Sequence, residues 1–125
     1  MTTVKDLVQK ARQSIQNLPP QAVQREAQAG VLLVDLRESE ERARSGAIPG
    51  AVHVPRGMLE FHADPASPYH KKELEPSRRV ILYCASGGRS ALAGAALKEL
   101  GYRDVAHLDG GFKAWTEAGL PATTP

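Results

Sequence analysis

The segment Val80-Ile-Leu-Tyr-Cys-Ala-Ser-Gly-Gly-Arg-Ser-Ala-Leu92 joins an apolar run to a glycine-containing loop and then to a helical pattern. Residues Val80 to Tyr83 are apolar without alternation, which predicts a strand buried on both faces of a parallel sheet. From Ala91 onward, apolar residues recur at helical spacing, and Gly101 is placed to end the helix. The loop between them therefore lies at a strand's carboxyl end and a helix's amino end, where unpaired N–H groups and the helix dipole favour anions.

Cys84, the first residue of this loop, is the single cysteine of the chain. Helix amino termini and neighbouring cations stabilise the ionised form of a thiol, so we expect Cys84 to be largely thiolate at neutral pH. Gly87 and Gly88 allow the positive φ angles that turn successive N–H groups toward one centre, and Arg89 adds a cation with forked donors. A thiolate among such donors is a nucleophile and a host for an anionic substrate, which favours catalysis over a buried core cysteine.

The loop Cys84-Ala-Ser-Gly-Gly-Arg89, followed by Ser90, resembles the active loop of the rhodanese-like family, which begins with the catalytic Cys and ends with Arg. Two further segments resemble that family, Gly46-Ala-Ile-Pro-Gly-Ala51 and the closing Gly110-Gly-Phe-Lys-Ala-Trp115. The resemblance implies a single-domain sulfurtransferase in which Cys84 is catalytic. It also implies that the rest of the loop binds the substrate and the persulfide, through Ala85, Ser86, Gly87, Gly88, Arg89 and Ser90.

Three residues outside the loop are candidates for a supporting role. Asp35-Leu-Arg37 matches a pair that the resembled family uses chiefly to order neighbouring loops, and buried carboxylates are normally paired. Arg56 follows a predicted strand end and is a candidate for a second anion contact, although a surface arginine is the favoured interpretation. Two positions depart from the family: Ala47 stands where His is usual, and His53 stands where Asn is common. His53 is therefore a candidate modulator, although a structural histidine is the favoured interpretation.

The element pattern predicts an α/β fold, with a small, mainly parallel sheet of four or five strands and helices on both faces, as in the rhodanese-like family. Residues 1–14 are expected to form an extra amphipathic helix that packs on the domain or joins a partner, and residues 15–125 to form the rhodanese-like domain. Residues 15–18 are either the end of the first helical region or a short edge strand. The other predicted strands are 31–36, 52–55, 80–83 and 105–108, and the other predicted helices are 21–29, 39–45, 91–100 and 112–118. The long segment 56–79 is expected to shape the mouth of the site.

Composition argues against several classes of partner. A chain of 125 residues with 42% hydrophobic and 24% charged residues is sized for one domain. Its net charge of +2 forms no basic stripe, and no apolar run approaches the roughly 18 residues needed to cross a bilayer. We therefore expect neither nucleic acid nor membrane as a partner, a cytoplasmic location, and a monomer or weak homodimer. His62 and His70 lack metal-ligand spacing with each other or with Cys84, so we expect no metal and no cofactor.

Loop length separates the candidate reactions. Related phosphatases and arsenate reductases on the resembled scaffold have one residue more between Cys and Arg, and that longer ring encloses a tetrahedral oxyanion. The shorter ring here is better sized for one transferred sulfur atom. We therefore expect a sulfurtransferase that moves a sulfane sulfur from thiosulfate or a similar donor to cyanide or a thiol, such as glutathione or thioredoxin, through a persulfide on Cys84 with ping-pong kinetics. A non-catalytic or regulatory rhodanese-like module is the alternative, and a phosphatase or arsenate reductase is favoured less.

Overall fold

The computed structural model describes residues 1–125, which form six α-helices and five strands. The helices are α1 Val4–Gln13, α2 Pro20–Gln28, α3 Ser39–Ser45, α4 Leu59–Ala63, α5 Gly88–Glu99 and α6 Gly111–Glu117. The strands are β1 Gln16–Leu18, β2 Leu32–Asp35, β3 Val52–His53, β4 Val80–Tyr83 and β5 Val105–Leu108. A 3-10 turn, Arg56–Met58, precedes α4. None of these helices combines the length and apolar character needed to cross a bilayer.

The five strands form one parallel sheet in the order β1-β5-β4-β2-β3. This confirms the predicted α/β class, with five strands and every pairing parallel. β4 is the central strand, and each of its residues is at most 1% exposed. Because all strands point the same way, the loop that follows β4 lies beside the end of β2, where parallel sheets form their ligand crevices.

The sheet separates two hydrophobic cores. One contains Val80 and Leu82 of β4 and is covered by α4 and α5. The other contains Ile81 and Tyr83 and is covered by α2 and α6. Full burial of an apolar side chain of this size contributes about 1.5–3 kcal/mol, so β4 is anchored on both sides directly before Cys84.

The N-terminal region is part of this packing. The edge-strand alternative for residues 15–18 is correct, since β1 pairs with β5. Helix α1 begins with a capping box between Thr3 and Asp6, and it packs on α5. Arg12 in its last turn pairs with Asp109 at 2.8 Å. Helix α1 therefore covers the domain, while the division of the chain at residue 14 stays a prediction.

Helix α5 begins at Gly88 rather than at the predicted Ala91. The reason is Gly87, whose φ of +112° lets the loop turn directly into the helix. The last residues of the loop are therefore also the first turn of α5. The segment 56–79 buries Leu59 and Leu74 in the core beneath α5, and its part in shaping the site stays a prediction.

Candidate active site

The loop after β4 wraps its backbone around the sulfur of Cys84. The Gly87 N–H donates a hydrogen bond to Sγ at 3.1 Å, and the Ser90 N–H donates to it at 3.4 Å. The sulfur thus lies at the amino end of α5, where N–H dipoles stabilise negative charge. Cys84 as a whole is only 1% exposed. The loop is therefore a cradle of N–H donors whose sulfur is shielded from solvent.

Four other N–H groups of the same loop have no acceptor within the protein. They belong to Ala85, Ser86, Gly88 and Arg89. The last two open α5, where a helix cannot satisfy its own N–H groups. Successive unpaired N–H groups in a tight loop are suited to binding an anion or an electron-rich atom. The loop can therefore accept more negative charge than the sulfur it already contacts.

The turn that begins α6 holds the loop from the other side. The Phe112 N–H donates to the Cys84 carbonyl at 2.8 Å, and the Lys113 N–H donates to the Ala85 carbonyl at 3.0 Å. Gly111 has a φ of +65°, and a Cβ on it would lie 2.6 Å from the carbonyl carbon and oxygen of Ala85. Only glycine permits this approach, so the Gly-Gly motif positions the active loop.

The guanidinium of Arg89 is hydrogen-bonded to α3, and its role in binding the substrate stays a prediction. Its Nη1 and Nη2 donate to the two carboxylate oxygens of Glu41 at 2.8 and 2.7 Å. These hydrogen bonds lower the pKa of Glu41 to about 2, so the pair is ionised throughout the physiological range. Arg89 therefore ties the loop to the neighbouring helix. Glu41 was assigned no role from the sequence, because an acidic residue early in a helix is explained by the dipole alone.

Asp35 and Arg37 form a buried ion pair behind the loop. Arg37 donates to both carboxylate oxygens, at 3.0 Å from Nε and 2.8 Å from Nη2, and the Tyr83 hydroxyl donates at 2.7 Å. Burial alone would raise the pKa of Asp35, but the hydrogen bonds from Arg37 and Tyr83 outweigh burial and lower it. Neither residue hydrogen-bonds to the loop. Their structural effect is to fix Tyr83, the residue directly before Cys84.

Arg56 and His53 are engaged elsewhere. Arg56 donates to Glu60 at 2.9 Å and makes no hydrogen bond or ion pair with the loop, so its role as a second anion contact stays a prediction. The Nε2 of His53 lies 2.6 Å from the Arg37 carbonyl oxygen, which makes His53 a support for the backbone after β2. Ala47, at the position of the family's usual His, pairs with the C-terminal backbone through two hydrogen bonds of 2.8 Å.

A buried polar chain reaches the sulfur from β5, and no sequence motif predicts it. Ser90 Oγ lies 3.6 Å from Cys84 Sγ and 2.7 Å from His107 Nδ1. The Nε2 of His107 lies 2.7 Å from Oδ1 of Asn17 on β1. The available signal in the sequence is a histidine inside an otherwise apolar strand, since a buried polar group needs a partner. Nothing in the sequence marks Asn17.

A cavity of about 400 Å³ opens beside the loop, between α3 and α6. Arg44 and Lys113 line it and make no ion pair, whereas the Glu41 charge in the same lining is balanced by Arg89. The cavity reaches the loop at Ala85. It therefore offers unpaired positive charge to an anionic molecule next to the cradle.

Comparison with known proteins agrees with this arrangement. A family model for the rhodanese-like domain matches residues 18–118. A sulfurtransferase of Allochromatium vinosum is 40% identical over 95 residues, covering 76% of this chain and 80% of that protein. The thiosulfate sulfurtransferase GlpE of Pseudomonas savastanoi pv. phaseolicola is 31% identical over 99 residues, covering 78% of this chain and 84% of that protein. Other relatives are longer, and this chain spans between 17% and 59% of their length.

Among solved structures, a protein of Rhodopseudomonas palustris described as a possible tyrosine phosphatase is 39% identical to this chain. The two superpose with a TM-score of 0.91 over 98% of this chain and 95% of that one. The family model spans the sheet from Leu18, the Cys84 loop and the turn that holds it. This chain therefore belongs to the rhodanese-like domain family.

Proposed function

We propose that this protein is a sulfurtransferase that moves a sulfane sulfur from thiosulfate or a similar donor to a thiophilic acceptor through a persulfide on Cys84. The observation that carries the proposal is the set of N–H donors in one loop. Two of them contact Sγ, and four have no acceptor in the protein. Such donors stabilise negative charge as it moves from the thiolate to the outer sulfur of a persulfide. The sulfurtransferase relative at 40% identity supports the same activity.

In the first half-reaction, the Cys84 thiolate attacks the outer sulfur of thiosulfate. A new S–S bond forms on Cys84, the S–S bond of thiosulfate breaks, and sulfite leaves with the electron pair. In the second half-reaction, cyanide or a thiol such as glutathione or thioredoxin attacks the outer sulfur of the persulfide and regenerates the thiolate. Because the chain has a single cysteine, the acceptor has to come from outside. The covalent intermediate makes the kinetics ping-pong.

The cations beside the loop and the burial of Cys84 determine how a substrate would reach the sulfur. The unpaired cations Arg44 and Lys113 raise the local concentration of an anionic donor or acceptor beside the loop. Since Cys84 is 1% exposed, the donor reaches Sγ after a local opening of the loop. Ser86 at its rim is exposed, and the adjacent glycines give the backbone the freedom to move.

Phosphatase chemistry is the second candidate, because the Rhodopseudomonas palustris structure is described as a possible tyrosine phosphatase. Two features favour sulfur transfer. Four residues separate Cys84 from Arg89, one fewer than in the phosphatases of this scaffold. The Arg89 fork is also bonded to Glu41, whereas a phosphate site needs that fork for the oxyanion.

The test combines mass spectrometry with turnover. After incubation with thiosulfate, Cys84 should carry one additional sulfur, and cyanide should then release thiocyanate. Cys84→Ser should lose both signals while keeping the wild-type unfolding temperature, because serine nearly preserves the side-chain volume. Hydrolysis of p-nitrophenyl phosphate without sulfur transfer would replace this proposal by a phosphatase. Absence of both activities would leave a non-catalytic module.

A further inference from the structure

The cavity between α3 and α6 is larger than the proposed sulfur donor requires. Its volume of about 400 Å³ lies in the range of about 300–1,000 Å³ that is typical of pockets for small organic ligands. Thiosulfate and cyanide are each only a few atoms in size, so neither fills this space. The cavity meets the active loop at Ala85, whose carbonyl accepts the N–H of Lys113 in the cavity wall at 3.0 Å. The space is therefore suited to the body of a larger substrate whose reacting group lies at the loop.

Both walls of the cavity carry positive charge. Arg44 of α3 and Lys113 of α6 are exposed, and neither side chain makes an ion pair within the protein. The one carboxylate in the lining, Glu41, accepts hydrogen bonds from both terminal nitrogens of Arg89, so its charge is balanced. A ligand with anionic groups at both ends would therefore meet a cation on each wall.

Arg37, which follows β2, adds a rigid donor to the same lining. Its side chain is only 2% exposed, and Nε and Nη2 donate to Asp35 and to the Gly46 carbonyl. Its guanidinium carbon lies 4.3 Å from the centre of the Phe112 ring, which also lines the cavity. Nη1 has no hydrogen-bond partner, and no fully buried side-chain nitrogen in the protein lacks one. Nη1 is therefore open to the cavity that Arg37 lines.

Asp35 does not neutralise all of the positive charge around it. Its Oδ2 accepts from Arg37 at 2.8 Å and also from Nε of Arg42 at 3.0 Å. One carboxylate thus serves two guanidinium groups, and one positive charge of this cluster has no counterpart. A guanidinium with a free N–H group forms strong, charge-assisted hydrogen bonds with a carboxylate. The protein provides none for Nη1, so the geometry favours a carboxylate of a ligand.

We propose that this cavity is the acceptor site, and that the acceptor is a small organic thiol whose carboxylates bind Arg37 Nη1, Arg44 and Lys113. This inference rests on the proposed function and names the substrate class of its second half-reaction. The acceptor thiolate attacks the outer sulfur of the Cys84 persulfide and forms a new S–S bond with it. The bond between that sulfur and Sγ breaks, and its electron pair restores the Cys84 thiolate. The product is the persulfide of the acceptor, and no oxidant or reductant is consumed.

The test follows the second half-reaction by itself. The Cys84 persulfide is prepared with thiosulfate, separated from the donor and mixed with a thiol, and mass spectrometry follows the loss of the added sulfur. Glutathione carries a carboxylate at each end, whereas its diethyl ester keeps the thiol and the peptide but not these charges. After correction for the ionised fraction of each thiol, subsaturating glutathione should react on the order of 10-fold faster than the ester. The advantage should shrink at high salt.

Two exposed positions test the cavity itself. Arg44→Gln and Lys113→Gln should each lower the ratio of the glutathione rate to the ester rate severalfold, because each removes one cation from the lining. The change should arise mainly from a higher glutathione concentration at half-maximal rate. Lys5→Gln is the matched control, since Lys5 is exposed on α1 and does not line the cavity. It makes the same change in net charge and should leave the ratio unchanged.

Equal rates for glutathione and its diester in the unmutated protein would overturn the acceptor site. An equal loss of preference in Lys5→Gln would also overturn it, because the effect would then come from net charge. Rapid discharge by thioredoxin together with no discharge by glutathione would replace the small thiol by a protein acceptor. A persulfide that cyanide discharges, without any preference for glutathione, would reject the acceptor site and keep the sulfurtransferase. Failure of thiosulfate to add sulfur to Cys84 would reject both.

Discussion

Replacing Gly111 by alanine should displace the active loop, because the structure leaves no room for a Cβ there. At a φ of +65°, the added atom would lie 2.6 Å from the carbonyl carbon and oxygen of Ala85 and from the Ser86 nitrogen. A non-glycine residue in the left-handed region costs about 1–2 kcal/mol, and forcing an extra carbon into a packed site costs about 1–3 kcal/mol more. The free energy of unfolding should therefore fall by about 2–5 kcal/mol.

Gly119→Ala is the matched control, since Gly119 has a φ of +75° and nothing within 4 Å of its added Cβ. This variant should lose only the backbone term of about 1–2 kcal/mol, or roughly 4–8 °C in unfolding temperature for a chain of this size. Urea unfolding measures both variants, and thiocyanate formation reports the loop. Only Gly111→Ala should lose most of the sulfur-transfer rate. Equal unfolding midpoints for the two variants, with an unchanged rate in Gly111→Ala, would refute the clash argument.

Three further perturbations test the surroundings of the loop. Asp35→Asn should lower the free energy of unfolding by about 3–5 kcal/mol in urea titrations, because it leaves the buried Arg37 charge uncompensated. The folded-state pKa of His107, about 4, lies below its ordinary 6.5, so the unfolded chain binds the proton first and stability should fall as pH drops from 6.5 to 4. The loss in the free energy of unfolding should approach about 3 kcal/mol. In a His107→Gln variant, the urea concentration at the unfolding midpoint should depend less on pH. Glu41→Gln removes a negative charge beside the cavity and frees the Arg89 guanidinium. The KM for thiosulfate should therefore fall severalfold at low ionic strength and by a smaller factor at high salt. A raised KM would contradict this prediction.

Local patterns in the sequence predicted the elements closest to the chemistry. The uninterrupted apolar run of β4 indicated burial on both faces, which the two cores confirm. The glycines after Cys84 indicated a tight loop, and Gly87 adopts the positive φ that this requires. The start of α5 was predicted too late, because a left-handed glycine can begin a helix inside the loop itself.

Contacts between distant parts of the chain could not be predicted in the same way. Arg89 meets Glu41 across 48 positions, and His107 meets Asn17 across 90. No local pattern encodes such pairs, because they depend on strand order and register as well as on residue type.

The sequence alone therefore determined a parallel α/β sheet whose one cysteine lies in a tight loop between a strand and a helix. The spacing of apolar residues and the residue types that form turns are local properties of the chain, and they were sufficient to predict the sheet and the loop. Tertiary structure alone decided that Arg89 ties the loop to α3 and that Gly111 presses against Ala85. It also decided that a buried histidine lies behind the sulfur. The physical reason is that each of these contacts forms only after β1, β4, β5 and the helices have packed into one sheet and its two cores.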